Sequence, residues 1–533
     1  MKNIIVGILI AMFLITTSLP VLGGITDNKC VIKQDSVNGN KNGNWHELAK
    51  MTASDSEPIS FFGSALSIDN DYAIIGAHGD TDNGQFSGAI YIFKRIGSTW
   101  TQEAKLLASD GMTNDMFGHT VSMDGDYAII GAPAADGPGY AYIFKNSGTN
   151  WTEEQKLTAS DGEIWDEFGY SVSIDGEYAI IGAQFDDDKG SAYIFKRTGS
   201  TWTEEQKLTA SDGEIWDLFG MSVAICGEYA IIGGFGDDNY TGAAYIFTRT
   251  GSIWSEQAKL TASDIIPGER FGHSVAIDGE YAYIGSTHDN NSKGAVYVFK
   301  RTGSTWTEEQ KLTASDGKTA DNFGKSFSLN DNCLIIGAYE DSDNGPHSGT
   351  VYVFNREGST WIEKQKLQPS DGKTWQQFGF CISIDRDFVL IGAYAEDDFT
   401  GSAYVFTTKQ QPTAPDIEGP SSGSAKVELS WIFHSNYSDE NQLKYIIDWG
   451  DESSTETECE NPCTPIEVSH TYKNKGTYII KAKARECPNG LDSEESTFEV
   501  NIPRTKVRNY PLFIHLLDWF QNVFSILKNM GLL

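Results

Sequence analysis

The sequence predicts an all-β chain whose main part is a seven-bladed β-propeller, and three observations predict it. Phe-Gly recurs with its Phe at Phe62, Phe117, Phe168, Phe219, Phe271, Phe323 and Phe378. A Trp leads the segment before each, at Trp45, Trp100, Trp151, Trp202, Trp254, Trp306 and Trp361. Both series step by 55, 51, 51, 52, 52 and 55 residues, and each unit reads as four short strands divided by turn residues. Repeated units of that length and strand content are the signature of sheets arranged radially about an axis.

The N-terminal residues read differently. Lys2, the apolar run Ile4 to Ile15 and the small-residue region Val21 to Gly24 have the pattern of a secretory signal peptide over 1–24. The apolar run is short for a membrane span. Residues 25–44 are polar and rich in Gly and Asn, a linker.

The repeat array occupies 45–408. In the copy that begins at Leu157, the first strand is Ser171 to Ile174, and Asp175-Gly176 is a two-residue hairpin signal. The second strand is Tyr178 to Gly182. An Asp-rich loop leads to the third, Ser191 to Phe195, and a Lys-Arg-Thr-Gly-Ser turn leads to the fourth, Trp202 to Leu208. The array opens with a fourth-strand segment, Trp45 to Met51, and stops after a third strand, Ala403 to Phe406. The N-terminal strand is therefore expected to complete the blade of residues 378–406, closing the ring and protecting both edges. Gly76, Gly131, Gly182, Gly233, Gly285, Gly337 and Gly392 end the second strands, where close backbone approach is expected.

In a radial blade, the loops after strands two and four share one face. Here those loops are the long ones, and they are acidic: Asp186, Asp187, Asp188, Asp237 and Asp238 follow second strands, and Asp161, Asp166, Asp212 and Asp217 follow fourth strands. An electronegative face is expected, favouring cations or basic ligands. Trp165, Trp216 and Trp375 fall in the same loops. With Asp166 and Asp217 they are the candidate residues for a ligand-binding rim of aromatic and carboxylate groups. The other reading is that each Trp packs over a neighbouring blade. Asp186, Asp187, Asp188, Asp237 and Asp238 are the candidate oxygen ligands for calcium, although neither loop has a complete calcium-loop spacing.

The array resembles the FG-GAP repeat family, which includes the propeller of integrin alpha subunits. The Phe-Gly of that pattern stands here as Phe168-Gly169, and Gly-Ala-Pro is complete once, as Gly131-Ala132-Pro133. The family's Asp/Asn-rich calcium loop has no counterpart between the first two strands, where only Ile-Asp-Gly-Glu-Tyr or a relative occurs. The resemblance implies extracellular recognition or adhesion. After a Pro/Gly/Ser-rich linker, 409–423, residues 424–503 resemble a PKD domain, an immunoglobulin-like sandwich. The resemblance rests on Tyr445-Ile446-Ile447-Asp448-Trp449-Gly450-Asp451, His470-Thr471-Tyr472 and Gly476-Thr477-Tyr478. Asp448 and Asp451 are expected to hold a turn, and His470 to make a structural contact. Residues 504–533 form a basic and then amphipathic segment, expected as a short C-terminal helix. Its apolar stripe, within 511–531, suits a membrane interface, a partner protein or the chain's own sandwich.

Composition narrows the function. Asp and Glu number 74 against 40 Lys and Arg, a formal net charge of −34, which disfavours nucleic acid as a partner. Of seven Cys, Cys226, Cys333 and Cys381 are expected as small buried residues. Cys459 and Cys463, or one of them with Cys487, are placed to form an extracellular disulfide. No catalytic set stands out. The leading expectation is a secreted or surface-attached, non-catalytic recognition or adhesion protein that binds an extracellular protein or glycan on its long-loop face. The alternatives are a secreted propeller hydrolase or lyase and a structural surface-layer component.

Overall fold

The computed structural model describes residues 44–134, 136–437, 441–462, 464–488 and 490–503. The expected signal peptide, most of the first linker, Cys30, Cys463 and the C-terminal segment lie outside these residues. The chain divides into two units between Lys409 and Gln410.

The first unit is seven four-stranded antiparallel sheets. Six are built from consecutive strands. One runs Phe168–Asp175, Tyr178–Ala183, Ser191–Thr198 and Thr201–Leu208. The seventh takes Ile382–Asp385, Phe388–Ala393 and Ser402–Thr407 from the end of the array and His46–Met51 from its start. Met51 pairs with Ala403 and His46 with Thr407. The expected closure is therefore the observed one.

Apolar residues on both faces of each inner strand explain the packing between sheets. Ile129 and Ile143 of the second blade meet Phe168, Ile181, Tyr193 and Trp202 of the third in one fully buried layer. Gly182 shows why the second strands end in glycine: a Cβ there would lie 1.9 Å from the carbonyl oxygen of Gly220 in the next blade. The same approach recurs around the ring and closes on itself, since Gly392 meets the carbonyl of Gly63. In each fourth strand the register slips by one residue, as between Glu204 and Gln206 opposite Phe195 and Ile194. Such a bulge twists an outer edge away from pairing with another chain.

The second unit is a sandwich. A three-stranded sheet holds Asp416–Glu418, Leu429–His434 and Ile466–His470. A four-stranded sheet holds Ser454–Glu456, Leu443–Asp448, Gly476–Glu486 and Ser496–Ile502. Between them lie Trp431, Phe433, Tyr445, Ile447, Trp449 and Tyr472. The segment expected as linker supplies the first of these strands, because Ile417 packs onto that core. Asp448 accepts from the Gly450 amide at 2.8 Å and His470 stacks flat on Trp449 at 4.6 Å, both structural roles as expected. Cys459 bonds to Cys487. Cys226 departs from its expectation: fully buried, it is also disulfide-bonded.

Candidate functional site

The long loops of the propeller are built by backbone geometry that repeats seven times. In each loop from a fourth strand to the next Phe-Gly, the residue three before Phe has positive φ and its N–H donates to the preceding blade's other long loop. Those residues are Ile59, Asn114, Trp165, Trp216, Gly268, Ala320 and Trp375. The Trp216 amide meets the Asp188 carbonyl at 2.7 Å, and the Trp375 amide meets that of Pro346 at 2.8 Å. The left-handed conformation costs an L-residue about 1–2 kcal/mol, and Gly268 shows the residue the backbone prefers. At three places a Trp stands there instead, 54 %, 53 % and 60 % exposed for Trp165, Trp216 and Trp375. Trp216 touches Phe185 edge-on at 6.2 Å, and His347 stacks on Trp375 at 4.3 Å.

The neighbouring carboxylates do not join this rim. Asp166 and Asp217 are buried, and each accepts from the amide three residues back, Glu163 at 2.5 Å and Glu214 at 2.6 Å. Burial pushes both pKa values up. They fasten the turn that presents the indoles, so of each Trp-Asp pair the indole reaches solvent and the carboxylate does not.

The remaining loop acids form a second repeated device. Lys207, near the end of its fourth strand, places Nζ 2.7 Å from Asp161 and 2.6 Å from Asp186. Tyr193 donates to the other oxygen of Asp161 at 2.8 Å. Lys259 does the same with Asp212 and Asp237, Lys311 with Asp264 and Asp289, and Lys50 with Asp371 and Glu396. In the second blade the loop acid Asp136 accepts from Asn114 at 3.2 Å instead, and Lys156 keeps Asp110 and lies 3.4 Å over the Tyr140 ring. Of the five candidate calcium ligands, Asp186 and Asp237 are thus held by ammonium groups. Asp187, Asp188 and Asp238 point into solvent, Asp187 with an oxygen 3.9 Å from Lys207. Among the described residues no group of three or more His, Cys, Asp or Glu is disposed to hold a metal ion. Lysines from the fourth strands thus pair with part of the acids on this face, while Asp187, Asp188 and Asp238 stay exposed.

A third feature was not expected. The residues on either side of Phe-Gly differ from blade to blade. Before Phe stand Phe61, Met116, Glu167, Leu218, Arg270, Asn322 and Gln377, all with positive φ. After Gly stand Ser64, His119, Tyr170, Met221, His273, Lys325 and Phe380. The second set is buried around the axis. His119 contacts His78 at 5.7 Å and Tyr170 at 5.0 Å. Ser64 Oγ lies 2.9 Å from His78 Nδ1, but the Phe61 ring covers His78 face to face at 4.8 Å, so this pair offers a substrate no open approach. Aligning the seven units and asking which positions vary in polarity would have found this set.

A family model described as FG-GAP repeat matches residues 45–93, 100–144, 151–195, 202–247, 254–299, 306–354 and 361–406. Integrin alpha-M of Mus musculus is 24 % identical over 238 residues, covering 39 % of this chain and 19 % of the relative. The chain thus spans about a fifth of that relative's length. The PKD domain of an M14-like peptidase from Thermoplasmatales archaeon SCGC AB-540-F20 is 29 % identical, covering 18 % of this chain and 99 % of that domain, with a TM-score of 0.17.

Proposed function

The chain belongs to the FG-GAP repeat family, and on that premise we propose that it is an extracellular, non-catalytic recognition or adhesion protein that binds a protein or glycan through the long-loop face of its propeller. One observation carries the reading: Trp165, Trp216 and Trp375 stand more than half exposed on a backbone that favours glycine. Large apolar groups kept at a local cost, on a rigid frame and in solvent, are what a binding surface retains. The signal-peptide pattern and the Cys459–Cys487 bond support an extracellular location. Among the described residues no helix is long and apolar enough to cross a membrane.

The test compares Trp165→Gly and Trp216→Gly with the parent on glycan arrays and in capture from native surface extract. Binding should fall at least tenfold. Stability should stay level or rise by up to about 1 kcal/mol, since glycine relieves the left-handed strain. Packing over a neighbouring blade would instead lower stability and leave binding intact.

A further inference from the structure

We propose that the axial mouth on the long-loop face, where Arg270, His273, His288 and Lys325 meet, binds an oxyanion, a carboxylate or sulfate group borne by the ligand. The proposal rests on the reading of that face as a recognition surface, but it is carried by different residues. Arg270 is half-buried, with its guanidinium 5.4 Å from the centre of the Phe235 ring. It makes no ion pair among the described residues, whereas Arg95, Arg249 and Arg485 each hold a carboxylate. His273 flanks the same Phe235 ring at 5.8 Å. It is 5 % exposed, and its Nδ1 is buried with no hydrogen-bond partner. Lys325 is buried, with Nζ 5.2 Å from the centre of the Phe380 ring, and lies near enough to Arg270 and His273 for the charges to act on one another.

The electrostatics agree with the geometry. Burial, and then the Arg270 charge, bring the Lys325 ammonium down to about 7. Burial, then Arg270 and Lys325, bring His288 to about 4. The same causes, with Lys325 ahead of Arg270, hold His273 well below its usual value. No carboxylate among the described residues forms an ion pair with Arg270, His273 or His288, in a chain of formal net charge −34. The fold does not require cations there, since Leu218 and Met116 fill the place of Arg270 in other blades, and Met221 that of Lys325. An oxyanion at this point is attracted by the Arg270 charge and by the protonated fraction of Lys325, takes the guanidinium fork and gives His273 a partner.

The experiment titrates the full chain with inorganic sulfate and, separately, with citrate, at constant ionic strength balanced by chloride, by calorimetry and thermal unfolding. At least one anion should bind saturably and raise the midpoint. Arg270→Gln keeps a residue type that the same place accepts at Gln377, and Lys325→Met keeps one accepted at Met221. Each should weaken anion binding at least tenfold, and Trp216→Gly should leave it within twofold. Absence of saturable binding for both anions, or affinity unchanged in Arg270→Gln and Lys325→Met, overturns the proposal. Sulfate binding without citrate, or the reverse, identifies the bearing group. If the Trp variants keep full capture of their ligand, the rim reading fails, and the anion isotherm still decides this one.

Discussion

The Nζ of Lys207 sits between the carboxylates of Asp161 and Asp186, 2.7 Å from one and 2.6 Å from the other. One ammonium therefore ties the loop after the preceding blade's fourth strand to the loop after its own blade's second strand. A side chain 24 % exposed, against an Asp186 side chain only 5 % exposed, puts the pair between surface and interior.

Lys207→Met should destabilise the propeller by about 2–3 kcal/mol, less than the loss of a fully buried partner because water still reaches the site. The two carboxylates left facing each other should then gain an affinity for calcium absent from the parent. In unfolding followed by circular dichroism, the parent's midpoint should be equal in calcium and in chelator, and the variant's should rise with calcium. A calcium-dependent midpoint in the parent would count against the ammonium as the resident cation.

Gln365 brackets Trp45, accepting from its amide at 2.9 Å and donating to its carbonyl at 2.7 Å, as Gln155 does with Trp202. Gln365→Ala should cost about 1–2 kcal/mol. Removal of residues 1–51 should do more, leaving Ser402–Thr407 as an unpaired edge. Hydrogen exchange in 402–407 should then lose its protection, and the shortened chain should aggregate. Unchanged protection there would show that the closing strand contributes nothing.

Two carboxylates should give opposite limbs of a pH profile. Burial opposes ionisation of Glu396, but hydrogen bonds from Lys373 and Lys50 outweigh it and bring its pKa to about 2. Its contribution is complete above about 4.5 and is lost as pH falls towards 2. Burial raises Glu167 to about 7, against a smaller opposing bond from Gln184. The folded state then holds that proton longer than the unfolded one, so stability declines between about 4.5 and 7. Glu167→Gln should stabilise by about 1–2 kcal/mol at pH 8, allowing for its partial exposure, and by nothing at pH 4. Glu396→Gln should destabilise at pH 7 and not at pH 2. An unaltered stability of Glu167→Gln at pH 8 would contradict the Glu167 assignment.

The Cys459–Cys487 bond closes a loop with a sequence separation of 28 residues. Replacing both with Ala should lower the stability of the second unit by about 3 kcal/mol. The propeller's transition, followed separately by calorimetry, should not move.

Much of the fold was legible because backbone demands recur in it. Phe-Gly, the strand-ending glycines and the complementary ends of the array each answer a steric need repeated seven times, so counting exposes them. The rim was half legible. Trp216 could be read as a loop residue, but its left-handed φ is invisible in a single copy and emerges only beside Gly268 and Asn114. Asp217 looked like its partner because adjacency in sequence says nothing of which way a turn directs two side chains. The lysine bridges escaped because Lys207 lies on a strand and Asp186 in a loop, and strand-by-strand reading separates them. The axial set escaped for the opposite reason: attention to what repeats passes over the one place where Arg270 and Lys325 break the pattern.

The conformation before each Phe-Gly has a consequence for descent. Phe62, Phe117 and their five counterparts are docked by main-chain bonds, so the frame is indifferent to which residue precedes them. Arginine, glutamate, leucine and glutamine all occupy that slot in this one chain. A lineage can therefore retune the hub of the disk one spoke at a time, keeping the wheel true while its appetite changes.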